Sequence, residues 1–201
     1  MARIKHTKNE LKAQRDALKR FERYLPTLQL KKQQLQLEMR RLDIQVREKR
    51  QQEEKLREDL KGWTALFSEL FPFESYVRVS TLREGVGNIA GVSIPLLDEL
   101  SFERIVPDLY ATPVWVDDGI RALETLLRLR VERRILEKQH QRLAEELRTT
   151  HQRVNLFEKI KIPEAQEAIR SIRIFLGDQL TAGVARSKLA KAKTLEKGAA
   201  A

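Results

Sequence analysis

The chain has 201 residues, of which 34% are charged and 6% aromatic, with six prolines, eight glycines and no cysteine. That excludes disulfides, thiolate-ligated zinc and a thiol nucleophile, and it favours long helices over an aromatic-filled core. The net charge of +10 is unevenly held: residues 1–72 carry 18 Lys/Arg against 11 Asp/Glu, 73–119 carry 3 against 8, and 120–201 carry 18 against 10. Two basic arms therefore flank an acidic middle, and the two kinds of surface are expected to face different partners.

The first arm opens on Thr7-Lys8-Asn9-Glu10, which has capping-box form and predicts a helix start. From Leu11 a heptad repeat can be read. Its a positions are Leu11, Leu18, Leu25, Lys32, Met39, Val46, Glu53, Leu60 and Phe67. Its d positions are Gln14, Phe21, Leu28, Leu35, Leu42, Lys49, Leu56, Trp63 and Leu70, so 14 of 18 are apolar. Such spacing predicts a left-handed pairing with another helix. At about 1.5 Å per residue, roughly 60 residues would span about 90 Å. Asp16–Arg20 and Glu53–Arg57 are spaced to pair along the exposed face. Pro26 should kink the arm or cost it a hydrogen bond. Lys32, Lys49 and Glu53 interrupt the apolar seam; they either fix register or mark places where the arm touches something else.

The pattern changes at Phe71-Pro72-Phe73. Residues 76–82 and 89–94 are β-rich, and Arg83 to Asn88 between them reads as a turn, which predicts a hairpin closed by Pro95. Leu96 to Tyr110 is apolar and acidic, with room for one short helix. Gly85-Val86-Gly87-Asn88-Ile89-Ala90 matches G-x-G-x-x-A, but a dinucleotide loop needs a helix to begin there. β-branched residues and Pro95 come next instead, so a plain hairpin is the better reading.

The second arm should begin with Thr112 as cap and Pro113 in the first turn, helped by Asp117 and Asp118 near the positive end of the helix dipole. Helix is expected from about residue 114 to about 180, with a seam through Leu126, Leu129, Leu136, Leu143, Leu147, Val154 and Phe157. Arg133, His140 and Thr150 interrupt it, and Pro163 should bend or break it. The stripe resumes at Ile162, Ala165, Ile169, Ile172 and Leu176. Gly177 and Gly183 should loosen the chain into a basic, Ala-rich tail. Leu66 and Leu127 stand beside the seams as expected exposed positions. The fold class is thus mainly α: a long antiparallel two-helix coiled coil with a small inserted β-hairpin and short-helix head. Its expected divisions are 1–72, 73–113, 114–182 and a flexible tail 183–201.

Chemistry-bearing motifs are absent from the sequence. The three histidines, His6, His140 and His151, have no zinc-binding spacing, and no phosphate loop or serine elbow occurs. Neither catalysis nor a cofactor or metal is expected. No apolar signal-like core opens the chain, and no run approaches the roughly 18–20 apolar residues of a span, so no direct membrane insertion is expected. Interleaved acidic residues and few aromatics argue against nucleic acid.

Three segments, in order, resemble the D subunit of the V/A-type rotary ATPases. They are Thr7-Lys8-Asn9-Glu10-Leu11 with Leu18, Leu28, Lys31, Lys32 and Leu35 after it; Asn88-Ile89-Ala90-Gly91-Val92 with Pro95; and Arg153-Val154-Asn155-Leu156-Phe157-Glu158 before Pro163. Tyr24, Pro26 and Leu156-Phe157 depart from the family pattern. The resemblance implies a cytoplasmic central rotor shaft, peripheral to the membrane, working inside a hexamer of catalytic and regulatory subunits. It also implies the small F subunit of the rotor and a membrane-side connector as partners. On the same basis Lys8, Glu10, Lys12, Arg15 and Lys188 would meet the hexamer. Tyr76, Val77, Val79, Ile89 and Val92 would face a partner at the head. The coiled-coil seam would be carried by Leu11, Leu18, Leu28, Leu35, Leu42, Leu136, Leu143, Val154, Ile169 and Ile172. A coiled-coil adaptor or export stalk, and a nucleic-acid-binding coiled coil, stay open as other classes.

Overall fold

The computed structural model describes residues 5–63, 72–108, 110 and 112–199. Phe67, Leu70, Leu66 and Phe71 lie outside the described residues, as does the side chain of Trp63. The elements are α1 (Lys8–Leu60), a 3-10 turn (Lys61–Trp63), a single helical turn α2 (Phe73–Tyr76), strands β1 (Val77–Ile89) and β2 (Val92–Arg104), α3 (Val116–Leu156), a π-turn (Phe157–Lys161) and α4 (Ile162–Ala199). Helix dominates, with one two-stranded antiparallel sheet. No helix among the described residues is long and apolar enough to cross a membrane. Two compact units are formed, Met1–Leu30 with Thr150–Ala201, and Lys31–Thr149.

Helix α1 starts where the capping residues stand. The Glu10 amide donates to Thr7 Oγ1 at 3.2 Å, and the Glu10 carboxylate accepts from Gln14 rather than closing the reciprocal half of the box. Every a and d position from Leu11 to Leu60 is buried or half-buried. Pro26 does not end the helix. Its missing N–H leaves the carbonyl of Glu22 without its usual partner, on an exposed face where water can serve.

The unit 31–149 has two apolar clusters. In the first, Leu35, Leu42, Ile94 and Leu143 are buried, with Met39, Ile89, Ala90, Val92, Leu136 and Leu147 packed against them. Burying each such aliphatic side chain contributes about 1.5–3 kcal/mol. In the second, Val77, Val116 and Ile120 pack with Phe73, Tyr76, Phe102, Trp115 and Leu127. Leu127 is therefore engaged in packing rather than exposed beside a seam. Polar contacts link α1 to α3 in opposite chain order: the ion pairs Lys31–Glu146 and Lys49–Glu132, each at 2.6 Å, and between them Asp43 with His140 at 3.1 Å.

The hairpin differs from the sequence expectation in its turn and length. Arg83 to Asn88 is strand, not turn, and the reversal falls at Ala90-Gly91, between the paired residues Ile89 and Val92. Ala90 has φ 51° and Gly91 φ 80°, and the Gly91 amide donates to Asn88 Oδ1 at 2.9 Å. Positive φ at both central residues is what a tight two-residue hairpin requires. Gly85 serves a different purpose: a Cβ there would fall on the carboxylate of Asp98 across the ladder. Pro95 does not close the hairpin. It pairs with Val86 inside β2, which has an edge free of ladder bonds and so tolerates the missing N–H. Leu96 to Arg104 is strand throughout, where the sequence allowed a short helix. Two bulges, at Ser80 in β1 and Asp98 in β2, offset each other and restore the register.

Helix α3 begins at Val116, later than Thr112-Pro113 suggests. The Thr112 hydroxyl donates instead to the Asp108 carbonyl at 2.7 Å, and the Pro113 carbonyl accepts from the Val116 amide. Asp117 does occupy the first turn, where Arg104 and Arg121 both reach it.

In the unit 1–30 with 150–201, Thr150, Val154, Ala165, Ala168, Ile169 and Ile172 are buried. Phe21 meets Phe157 at a ring separation of 5.2 Å, and His6 meets Phe175 at 4.9 Å. Pro163 does not break the helical run, because a π-turn precedes it and α4 then carries on. Residues 183–199 are helical as well. Each glycine costs about 1 kcal/mol against alanine, and the Ala, Lys and Leu around Gly183 are strong helix formers that offset it.

Candidate functional site

An ionic cluster interrupts the apolar contact of α1 with α3. Glu53 occupies an a position of α1 and is 6% exposed. Arg57, one turn on, donates to it at 2.8 Å. Arg133 of α3 brings its Nε within 3.1 Å of Glu53 Oε2. That nitrogen is buried without a well-directed acceptor, so the contact is coulombic rather than a good hydrogen bond. Arg133 Nη1 donates to Glu137 at 2.8 Å, and Arg50 reaches Glu137 at 3.0 Å. Burial works to raise the Glu137 pKa, but the Arg50 hydrogen bond and the Arg133 charge outweigh it and hold the carboxyl below its ordinary 4.5. Glu53 and Lys49 thus find partners across the helix pair, as a register-fixing residue would.

A second polar set fixes the hairpin to α3. Buried Gln139 donates to the Pro95 carbonyl at 2.6 Å, Arg142 to the Ser93 carbonyl at 3.1 Å, and Lys138 to Glu84 at 2.5 Å. Sequence reading missed Gln139, because its partner is a backbone group 44 residues away.

The residues assigned by resemblance fall in distinct settings. Lys8, Lys12, Arg15 and Lys188 are exposed, and Glu10 is half-buried. At the head, Val77 is in the core, while Ile89 and Val92 pack against the Leu35–Leu143 cluster. Tyr76 packs beside Val77 and Val116. Only Val79 of that set is exposed, and the ladder register places exposed Leu82 and Val86 on the same face of the hairpin. Of the seam residues, Leu35, Leu42, Leu143, Val154, Ile169 and Ile172 are buried, and Leu11, Leu18, Leu28 and Leu136 are half-buried.

Among the described residues no group of three or more His, Asp or Glu could hold a metal ion. His140 pairs with Asp43, His6 lies 3.3 Å from Ser171, and His151 lies 3.1 Å from Asn155. The grooves are open and shallow. One of about 370 Å³ is walled by Lys49 and Glu132, which pair with each other, and by Gln139, which is committed to Pro95. That is an arrangement for holding elements together, with no nucleophile and base set against each other.

The family model for the ATP synthase D subunit matches residues 10–192. The chain belongs to the ATP synthase D-subunit family. It is 50% identical over 197 residues to the V-type ATP synthase D subunit of Borreliella burgdorferi, covering 98% of both chains. It is 34% identical over 195 residues to that of Chlamydia muridarum, covering 96% of each. With the D subunit of Chlamydia felis the identity is 33% over 199 residues, or 96% of this chain and 94% of the relative. The family match takes in the apolar seam of α1, the hairpin and the π-turn together.

Proposed function

We propose that this chain is the central-stalk subunit of a V-type ATP synthase, the rotor shaft that passes torque between a catalytic hexamer and the membrane rotor. The observation that carries it is the match to a V-type D subunit over 98% of both chains. An antiparallel two-helix coiled coil of the N- and C-terminal helices, with 73–113 as head, is the architecture we assign to the shaft. The unbroken burial of a and d positions along α1 supports it, as does the opposite order of the ion pairs with α3.

A shaft must resist sliding of one helix along the other. Apolar contact alone is nearly indifferent to a one-heptad slip, whereas Lys31 and Lys49 meet their carboxylates only opposite Glu146 and Glu132, and Glu53 meets the Arg133 charge only in this register. ATP chemistry belongs to the hexamer of catalytic and regulatory subunits, not to this chain. The exposed cations Lys8, Lys12, Arg15 and Lys188, with Glu10, are assigned to the hexamer. The head carries the contacts for the small F subunit of the rotor and the membrane-side connector, with exposed apolar Val79, Leu82 and Val86 on one face of the hairpin offered to them. The chain works in the cytoplasm, held at the membrane through the complex, with no nucleic-acid role.

The test is assembly. The purified chain, mixed with the ATPase hexamer subunits on a sizing column, should co-elute in a fixed ratio and alter ATP turnover. Charge reversal at Lys8, Lys12, Arg15 and Lys188 together should weaken both effects. Independent elution of the native chain would overturn the assignment.

A further inference from the structure

The apolar stripe of the C-terminal helical run changes phase by one residue, and the π-turn sits at the change. From Leu126 to Phe157 the inward positions alternate by three and four: Leu126, Leu129, Arg133, Leu136, His140, Leu143, Leu147, Thr150, Val154, Phe157. None of them is exposed. Continuing that rhythm would put the next two at Lys161 and Glu164. Lys161 is half-buried and Glu164 exposed, and the apolar residues that turn inward are Ile162, Ala165, Ile169, Ile172 and Leu176, again by three and four, with small Ala168 buried beside Ile169. The second series is the first displaced by one residue.

One residue corresponds to about 100° around an α-helix. Without a correction, Ile169 and Ile172 would turn away from the line set by Val154. The facing surface has no matching change. In the same unit α1 keeps its strict alternation through Leu11, Gln14, Leu18, Phe21, Leu25 and Leu28. The displacement has to be absorbed in the C-terminal run itself. A π-turn takes up one extra residue by letting an amide reach back five positions instead of four. That is the bond present: the Ile162 amide donates to the Phe157 carbonyl.

We infer that the π-turn at Phe157–Lys161 is a one-residue phase correction that keeps Ile162, Ala165, Ile169 and Ile172 facing the same surface as Val154 and Phe157. Phase, not Pro163, dictates it. Proline fits there because it has no amide to place where bonding returns from five residues to four. The extra residue is carried on the outside, where Glu158, Lys159 and Ile160 are exposed.

Deletion of Lys159 in the full chain tests this. It removes the extra residue, so the π-turn should become ordinary helix with both stripes in register. The melting temperature should stay within about 3 °C of the parent, whereas deletion of exposed Glu167, which misplaces Ile169 and Ile172, should lower it by about 10 °C or more. A crystal structure of Pro163→Ala should retain the Ile162–Phe157 bond. Equal losses from the two deletions, or conversion of the Pro163→Ala chain to continuous α-helix, would overturn the inference.

Discussion

Replacing Arg133 by leucine should uncover the cost of the ionic cluster. Glu53 would stay 6% exposed, with Arg57 as its remaining cation. Breaking a buried ion pair from one side costs about 3–5 kcal/mol. Arg57 is 54% exposed and stays at 2.8 Å, so water and a partner both reach the carboxylate and the loss shrinks to about 2–3 kcal/mol. Glu53→Leu is milder, about 1 kcal/mol, since Arg133 keeps Glu137 at 2.8 Å. The double variant Glu53→Leu/Arg133→Leu puts apolar side chains at both positions and should fall within about 1 kcal/mol of the parent. Urea unfolding of all four chains gives the coupling, expected at about 3 kcal/mol. Exposed Arg148 supplies the control, because Arg148→Leu should change stability by less than about 0.5 kcal/mol. If Arg133→Leu costs no more than Arg148→Leu, the cluster does not hold α1 against α3 and the reasoning fails.

Leu143→Ala, at a fully buried position, should lose about 3 kcal/mol in urea unfolding, and a loss below about 1 would mean the cluster around Leu35 is not a core. Gly91→Ala should destabilise the hairpin by about 1–2 kcal/mol although nothing crowds the site, because φ there is +80°. Hydrogen exchange of the β1 and β2 amides reads that change, and undiminished protection would contradict it. Glu137 has its folded pKa lowered, so its stabilisation is complete above its unfolded value and fades as pH falls below 4.5. Glu137→Gln should therefore flatten the acid side of the stability–pH curve, and an unchanged slope would speak against the Arg50 and Arg133 contacts.

The long helices were legible because their signal is local and repeated. Leucines every seven residues predict which positions of α1 turn inward, and the Thr7 cap marks its start. The hairpin turn was not legible. Gly85 and Gly87 look like turn residues, yet they lie in β1 to admit Asp98 and Leu96, while the true turn uses Ala90, a residue rarely found at positive φ. Leu96 to Arg104 has a helix-like composition, and only pairing with β1 makes it a strand. At the ionic cluster, Glu53 and Arg133 read as separate seam interruptions. That they meet depends on the offset between α1 and α3, which no local pattern carries. The phase change before Pro163 is written in the spacing of Val154, Phe157, Ile162 and Ala165, but the proline itself suggests a break instead.

The most direct test of the rotor-shaft account is to watch the chain turn. The sequence has no cysteine, so a single one placed at exposed Glu103 can carry a bead without side labelling. With the ATPase hexamer fixed to a surface and ATP supplied, the bead should rotate in one direction and stop when ATP is removed. A hexamer that hydrolyses ATP with this chain bound while the bead stays still would contradict the account.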